Sequence, residues 1–288
     1  MSTELIKKVK QIEIRTKNLV NNFFGGDYHS NFKGRGMTFS EVREYQHGDD
    51  VRFIDWNVTA RSEFPYIKIF EEERELTVII AIDVSSSGLF GSNVKLKKDL
   101  FIEISATLGF SAIKNNDKVG LLLFSDKVEK FIPPKKGKLH ILRIITELLN
   151  FDFESTKRKT SLKNGLNFLG KISKKKNIIF LLSDFMDSNY WDGLKLLNYN
   201  HDLIPVQIFD GFEKKIPNLG LIEIEDLESE RSLWIDTSNK KNRTQFATYL
   251  REKSNKFREQ CRKIGIKPIQ ISTEEDFVKS LKLFFKRR

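Results

Sequence analysis

Three oxygen-bearing side chains stand at alternate positions just after the first strongly apolar stretch of the chain. The segment VIIAIDVSSSGLFG, residues 78–91, places Asp83, Ser85 and Ser87 in the pattern Asp-x-Ser-x-Ser. A carboxylate and two hydroxyls in a tight loop can converge on one point, and hard cations such as Mg²⁺ prefer oxygen ligands of this kind. The triplet alone is a weak signal, because chance produces it in roughly one chain in fifteen of this length.

Two further oxygen donors strengthen the pattern. A second apolar stretch, FLLSD, ends in Ser183 and Asp184, and the segment KTSLKNGLNFL places Thr160 just before a predicted helix. If the strands before Asp83 and Asp184 are neighbours where the sheet reverses direction, both acids face one crevice. Taken singly, Asp184 is an ordinary strand-end residue and Thr160 an ordinary helix cap. Taken together, five residues predict a metal site for Mg²⁺, with Mn²⁺ or Ca²⁺ as alternatives: Asp83, Ser85, Ser87, Thr160 and Asp184.

The elements that must position these residues alternate between strands and helices from Leu76 onward. Strands are predicted at 76–83, 118–125, 128–134, 177–184, 202–210 and 267–272, with two short ones in LIEIED and SLWIDT. Helices are predicted at 95–114, 139–149, 161–173, 190–198, 242–264 and 274–286. This alternation predicts an α/β fold with a doubly wound, mostly parallel sheet flanked by helices. A helix over 3–24 and a small β-rich segment over 26–70 precede it, so the expected domains are 1–73 and 74–288.

The composition is that of a globular chain without a membrane span. Apolar residues make up 39% of the 288 residues, and no apolar stretch approaches the ~18–20 residues that cross a bilayer. The single Cys261 excludes an internal disulfide and is expected to be buried and inert. A cytoplasmic location is the resulting expectation.

Positive charge is concentrated at the C-terminal end. The formal net charge is +11, and the residues from Lys240 to Arg288 hold fifteen Lys or Arg against five Asp or Glu. Such a segment fits an acidic partner, an anionic membrane surface, nucleic acid or simply a solvated helix face. Its phenylalanines follow the spacing of helix cores, so nucleic acid is an unlikely partner, while peripheral contact with a membrane stays open.

A block before the sheet, GRGMTFSEVREYQHGDDVRFIDWNVTARS at 34–62, resembles the signature of the bacterial domain-of-unknown-function 58 family. The matching positions are Gly34, Gly36, Phe39, Arg43, Tyr45, Gly48, Asp49, Asp50, Arg52, Ile54, Asp55, Trp56, Ala60 and Arg61. Within the block, the interleaved arginines and acids predict a buried ion-pair network that fastens the β-rich segment to the sheet and in which Trp56 packs. The alternatives are direct contact of these charges with a partner and a role for Trp56 as a stacking platform for a nucleotide.

The five predicted ligands likewise resemble the metal-ion-dependent adhesion site of von Willebrand factor A domains, a fold that this family contains. The resemblance implies that Ser85, Ser87 and Thr160 offer hydroxyls to the ion, while Asp83 and Asp184 bind it directly or through ordered waters. It implies a protein partner that supplies an Asp or Glu to the metal. It further implies association with a MoxR-type AAA+ ATPase, in the role of an adapter or assembly factor.

Two other functions fit parts of the sequence. A Mg²⁺-dependent phosphohydrolase also places an aspartate after its first strand, but it needs an acid two residues on, where Ser85 stands. A nucleic-acid-binding protein would use the basic C-terminal third, and its affinity would fall steeply with salt. The sequence therefore favours a non-enzymatic interaction module.

Overall fold

The computed structural model describes residues 3–23, 38–71, 76–85, 96–153, 158–172, 175–211, 217–226 and 231–287. Contacts among Cα atoms divide the chain into two compact units. The larger unit comprises Met1–Asn31 and Thr77–Arg288, and the smaller unit comprises Phe32–Leu76.

The strands and helices agree closely with the predicted elements. In the described residues the strands are β1 Thr38–Glu44, β2 Tyr66–Glu71, β3 Thr77–Asp83, β4 Lys118–Phe124, β5 Val128–Lys135, β6 Ile178–Ser183, β7 Asp202–Phe209, β8 Leu221–Asp226, β9 Arg231–Asp236 and β10 Ile269–Ser272. The helices are α1 Thr3–Phe23, α2 Trp56–Thr59, α3 Lys97–Lys114, α4 Lys138–Asn150, α5 Leu162–Ile172, α6 Trp191–Asn200, α7 Lys240–Lys263 and α8 Phe277–Arg287.

Six strands of the larger unit form one sheet in the order β10-β7-β6-β3-β4-β5. All neighbours in it are parallel except β4 and β5, which are antiparallel. The predicted α/β fold with a doubly wound, mostly parallel sheet is confirmed. Because β3 pairs with β4 on one side and with β6 on the other, the sheet grows outward in both directions from β3, and the carboxyl end of β3 lies at the switch point.

Burial on both faces explains why the sheet strands read as unbroken apolar runs. In β3, every residue from Val78 to Ile82 is buried. Side chains alternate between the faces, and Ile79 and Ala81 belong to a core that also contains Leu166 of α5 and Phe257 of α7. Cys261 of α7 lies in the same core, where burial raises the pKa of its thiol to about 12. The expectation of a buried, inert cysteine is confirmed.

The smaller unit pairs β1 and β2 antiparallel, and its ion pairs lie near the surface. Arg43 donates to both carboxylate oxygens of Asp49, at 2.8 and 2.9 Å, and Arg52 pairs with Asp50 at 2.6 Å. Trp56 is 69% exposed. The prediction that Trp56 packs within an ion-pair network is wrong. Its side chain is exposed, and Arg43 and Arg52 pair with acids that are only six and two residues away in the chain.

Helix α1 contacts α3 and α4 in the larger unit. The division into 1–73 and 74–288 stays a prediction, since contacts within a folded chain do not measure which parts fold alone. Among the described helices, none combines the length and hydrophobicity needed to cross a bilayer.

Two glycines of α5 allow a direct test of how tightly this helix packs on the sheet. A Cβ at Gly165 would lie 2.6 Å from the ring of the fully buried Phe124, whereas a Cβ at Gly170 would meet nothing within 4 Å. We expect Gly165→Ala to lower the free energy of unfolding by about 1–3 kcal/mol through overpacking. The same change at Gly170 is expected to raise it by about 0.5–1 kcal/mol, because alanine favours helix. Urea unfolding of both variants measures this, and equal effects would contradict close packing at Gly165.

Candidate metal centre

Asp83 and Asp184 come together because their strands are neighbours. Asp83 is the last residue of β3, Ser183 is the last residue of β6, and the two strands pair in parallel with Ile82 opposite Leu182. Both strands therefore end at the same side of the sheet, called here the carboxyl edge. The Ser183 hydroxyl donates to Asp83 Oδ2 at 2.8 Å. The condition under which both acids face one crevice, that these strands are neighbours at the switch point, is met.

The Asp83 carboxylate is enclosed by protein. Asp83 is only 3% exposed, and its Oδ1 accepts a hydrogen bond from the Ser85 backbone N–H at 3.0 Å. Burial raises the pKa of Asp83 to about 6, with a further contribution from the negative charge of Asp184. The hydroxyls of Ser85 and Ser183 act in the opposite direction on this pKa but do not cancel the increase. Asp83 therefore lies where added positive charge would stabilise its ionised form.

Asp184 is neutralised by a residue that the sequence analysis missed. Its Oδ2 lies 3.3 Å from Nζ of Lys97, and the two side chains are 4% and 3% exposed. Its Oδ1 accepts from the Met186 backbone N–H at 3.2 Å. Lys97 is the first residue of α3, where the helix dipole disfavours a cation, so the ion pair with Asp184 offsets its burial there. The segment KLKKDL resembles an ordinary solvated helix start, and only its position after the Asp-x-Ser-x-Ser loop hints at this role.

The two predicted serine ligands have different outcomes. Ser85 is buried, and both its backbone N–H and its hydroxyl hydrogen-bond to Asp83. Ser87 lies in the segment 86–95, outside the described residues.

Thr160 lies just ahead of α5, and hydrogen bonds attach the start of this helix to the carboxyl edge. The Ser161 N–H donates to the carbonyl of Ser125, which follows β4, at 3.3 Å. The Leu162 N–H donates to Asp187 Oδ2, in the loop after β6, at 2.7 Å. Ser161 accepts from the first turn of the helix, so the capping position belongs to it and not to Thr160. The described residues make no hydrogen bond to the Thr160 hydroxyl, and its role as a metal ligand stays a prediction.

The donors at this edge suit a small hard cation. In the described ranges, no group of three or more His, Cys, Asp and Glu side chains could hold a metal. Two carboxylates and a set of hydroxyls are oxygen donors throughout, as Mg²⁺ prefers. The Lys97 ammonium beside Asp184 shows that this pocket accepts a buried positive charge. By the chemistry of their donors, the residues present fit a divalent cation of the Mg²⁺ type.

Comparison with known proteins places the chain among bacterial relatives. Residues 41–256 match the family described as "Protein of unknown function DUF58". An uncharacterised protein of Mycobacterium tuberculosis is 24% identical over 227 residues, which cover 78% of this chain and 72% of the relative.

Two solved structures are similar to part of this chain. The protein BatB of Bacteroides thetaiotaomicron is 16% identical, covers 74% of this chain and 98% of its own, and has a TM-score of 0.48. A mussel byssus protein, proximal thread matrix protein 1 with a zinc-occupied MIDAS motif, is 20% identical, covers 46% of this chain and 38% of its own, and has a TM-score of 0.36. Both TM-scores are below 0.5, so the fold assignment rests on the strand order of this chain.

The ion pair between Lys97 and Asp184 makes a double-mutant cycle informative. In chelator, Lys97→Met leaves Asp184 buried without its cation, and we expect the free energy of unfolding to fall by about 3–5 kcal/mol. The double variant Lys97→Met, Asp184→Asn is expected to recover most of that loss, since neither residue is then charged. Adding Mg²⁺ should raise the Tm of Lys97→Met more than that of the wild type. Full stability of Lys97→Met in chelator would contradict a charge-balancing role.

The raised pKa of Asp83 predicts how stability depends on pH without metal. In the folded chain Asp83 binds its proton up to a pH of about 6, and in the unfolded chain only up to about 3.8. Its contribution is therefore complete below pH 3.8 and is lost as the pH rises through 6, a change of about 3 kcal/mol. Subtracting the urea-unfolding profile of Asp83→Asn from that of the wild type, both in chelator, isolates this contribution. A difference that grows with pH over this window would contradict the assignment.

Proposed function

The chain belongs to the family described as Protein of unknown function DUF58, and from this premise we propose that it is a divalent-metal-dependent protein–protein interaction module. The observation that carries the proposal is the pairing of two buried carboxylates, Asp83 and Asp184, at the switch point of the sheet. Ligands bind at this place in open α/β sheets. A pair of buried acids there is costly unless positive charge is supplied.

Each residue has a distinct task in the proposed site. Asp83, Ser85 and Asp184, together with the predicted Ser87 and Thr160, would hold the ion, with Mg²⁺ as the expected metal. When bound, the ion would supply a positive charge that attracts a carboxylate from outside the chain. The Ser183 hydroxyl donates to Asp83 Oδ2 and would hold the Asp83 carboxylate in place.

Lys97 affects how strongly such a site attracts a partner. Two carboxylates and one ammonium carry a net charge of −1, so a divalent cation among them leaves the centre positive. Without Lys97, the same two carboxylates would neutralise the ion completely. The buried ammonium therefore favours recognition of an acidic group, because opposite charges attract strongly where water is excluded.

The proposed partner is a protein that presents an Asp or Glu side chain to the centre. The family resemblance makes a MoxR-type AAA+ ATPase the expected partner and an adapter or assembly factor the expected role. A phosphohydrolase is less well supported, since the residue two positions after Asp83 is Ser85, whose N–H donates to Asp83 and which offers no acid.

Conservative substitutions at the two acids test the proposal. We expect Asp83→Asn and Asp184→Asn to abolish the rise in Tm that Mg²⁺ gives the wild type, and to abolish chelator-sensitive capture of a MoxR-type ATPase. Glu275→Gln, a change at an exposed acid far along the chain, is the control and should behave as the wild type. Isothermal titration with MgCl₂ and pulldown with and without EDTA provide the measurements. Unchanged Mg²⁺ binding by both variants would refute the metal site, and turnover of a phosphate ester by the wild type would refute the non-enzymatic role.

A further inference from the structure

A groove of about 700 Å³ lies between α7 and the ends of β6, β7 and β10. Its α7 wall consists of residues that recur every three or four positions, as expected for one face of a helix. These wall residues include Lys240, Arg243, Ala247, Arg251, Ser254 and Arg258. The volume lies within the range of pockets that enclose small ligands, so the groove has room for a few residues of an extended peptide.

The groove is lined by cations and by no carboxylate. Its five positively charged residues are Lys240, Arg243, Arg251, Lys253 and Arg258. Helix α7 also carries two acids, Glu252 and Glu259, but both are exposed and neither lines the groove. The charge of this surface is therefore uniformly positive.

The hydrogen bonds of two lining arginines go to neutral oxygens. Arg243 donates to backbone carbonyls, including that of Ser238 at 3.0 Å. Arg258 donates to the side-chain oxygen of Asn255 at 2.6 Å. In the part of the chain that the structure describes, no ion pair joins any of the five to an acid. The groove thus carries uncompensated positive charge next to solvent.

The groove borders the segment that directly follows Asp184. Nζ of Lys253 donates to the carbonyl of Met186, two residues after Asp184, at 3.3 Å. The side-chain amide of Gln207 donates to the carbonyl of Asp184 at 3.2 Å, and its oxygen accepts from the Ser254 hydroxyl at 3.4 Å. A short path of hydrogen bonds therefore connects Asp184 to α7, and Phe185 and Met186, the residues that follow Asp184, line the groove.

The lining favours a peptide over nucleic acid. Bases bind by stacking on exposed aromatic rings, but neither aromatic ring of the lining is fully exposed. Phe185 is buried and stacks on Phe257 at 4.5 Å, and Phe209 is partly buried. The groove offers neutral side-chain amides and hydroxyls instead, among them Gln270 and Thr248. Such groups match the backbone N–H and C=O groups of an extended chain.

We infer that this groove binds an acidic segment of the protein partner, with one carboxylate at the metal centre and further carboxylates on the cations of α7. The inference rests on the proposed function, because the centre and the groove would hold the same segment. Opposite charge at several points along the groove would orient the segment and speed its association.

Charge reversal inside the groove, matched by charge reversal outside it, tests the inference. Arg251→Glu with Arg258→Glu changes two exposed lining residues, and Lys241→Glu with Lys256→Glu changes two exposed residues of the same helix outside the lining. The probe is a short fluorescein-labelled peptide of Glu, Asp and Ser, followed by fluorescence anisotropy in Mg²⁺. We expect the groove variant to bind it at least about tenfold more weakly than the wild type, and the outside variant to stay within about twofold.

Three results would overturn the inference. They are equal weakening by the two variants, absence of peptide binding by the wild type, and tighter binding of a single-stranded oligothymidine than of a peptide of equal charge. The first would indicate unspecific attraction to a basic helix, and the third a nucleic-acid site.

The Asp184→Asn variant separates this inference from the proposed function. If the wild type and Asp184→Asn bind the peptide equally well with and without Mg²⁺ while groove reversal still weakens binding, the groove stands and the metal-dependent function fails. If Mg²⁺ strengthens peptide binding by the wild type but groove reversal has no effect, the metal centre stands and the groove inference fails. Circular dichroism of each variant confirms that the fold is intact.

Discussion

The repulsion between two buried carboxylates is the constraint on which the carboxyl edge is built. Asp83 and Asp184 end neighbouring strands inside the protein, where little water screens their charges. Lys97 balances one of them by approaching Asp184 to 3.3 Å. The serine hydroxyls around Asp83 hydrogen-bond its carboxylate, yet its pKa is still raised to about 6. One negative charge thus remains without a full counter-charge, and in the proposed site this excess would attract a cation.

The strand order places these acids together although they are far apart in the chain. β3 is central, and its neighbours β4 and β6 lie on opposite sides of it in the sheet. Hydrogen bonds from Ser161 to Ser125 and from Leu162 to Asp187 attach the start of α5 to the loops after β4 and β6. Four segments of the chain therefore meet at one edge, and the rigid, fully buried strands behind them fix the positions of their ends.

The fold concentrates part of the positive charge of the C-terminal third on one surface. The basic C-terminal third supplies α7, and one face of α7 lines a positively charged groove that ends near the acidic edge. In the proposed function, the negative centre would bind a carboxylate through a cation, and the positive groove would bind carboxylates directly. Part of the net charge of +11 is concentrated on one face of α7.

Local pattern determined the elements of this protein, and the tertiary structure decided what those elements bring together. Unbroken apolar runs predicted the strands, because a strand that is buried on both faces is apolar at nearly every position. The polar residues that end these runs predicted Asp83 and Asp184 as residues at the edge of the sheet. The pairing of β3 with β6 was stated from the sequence only as a condition, because strand order depends on packing over the whole domain. Lys97 could not be found in this way, because a lysine at a helix start is normally solvated and only the fold shows that Asp184 lies opposite it. The groove, too, could not be predicted from the sequence. Its basic residues can be counted there, but they line a common surface only because α7 lies against the sheet.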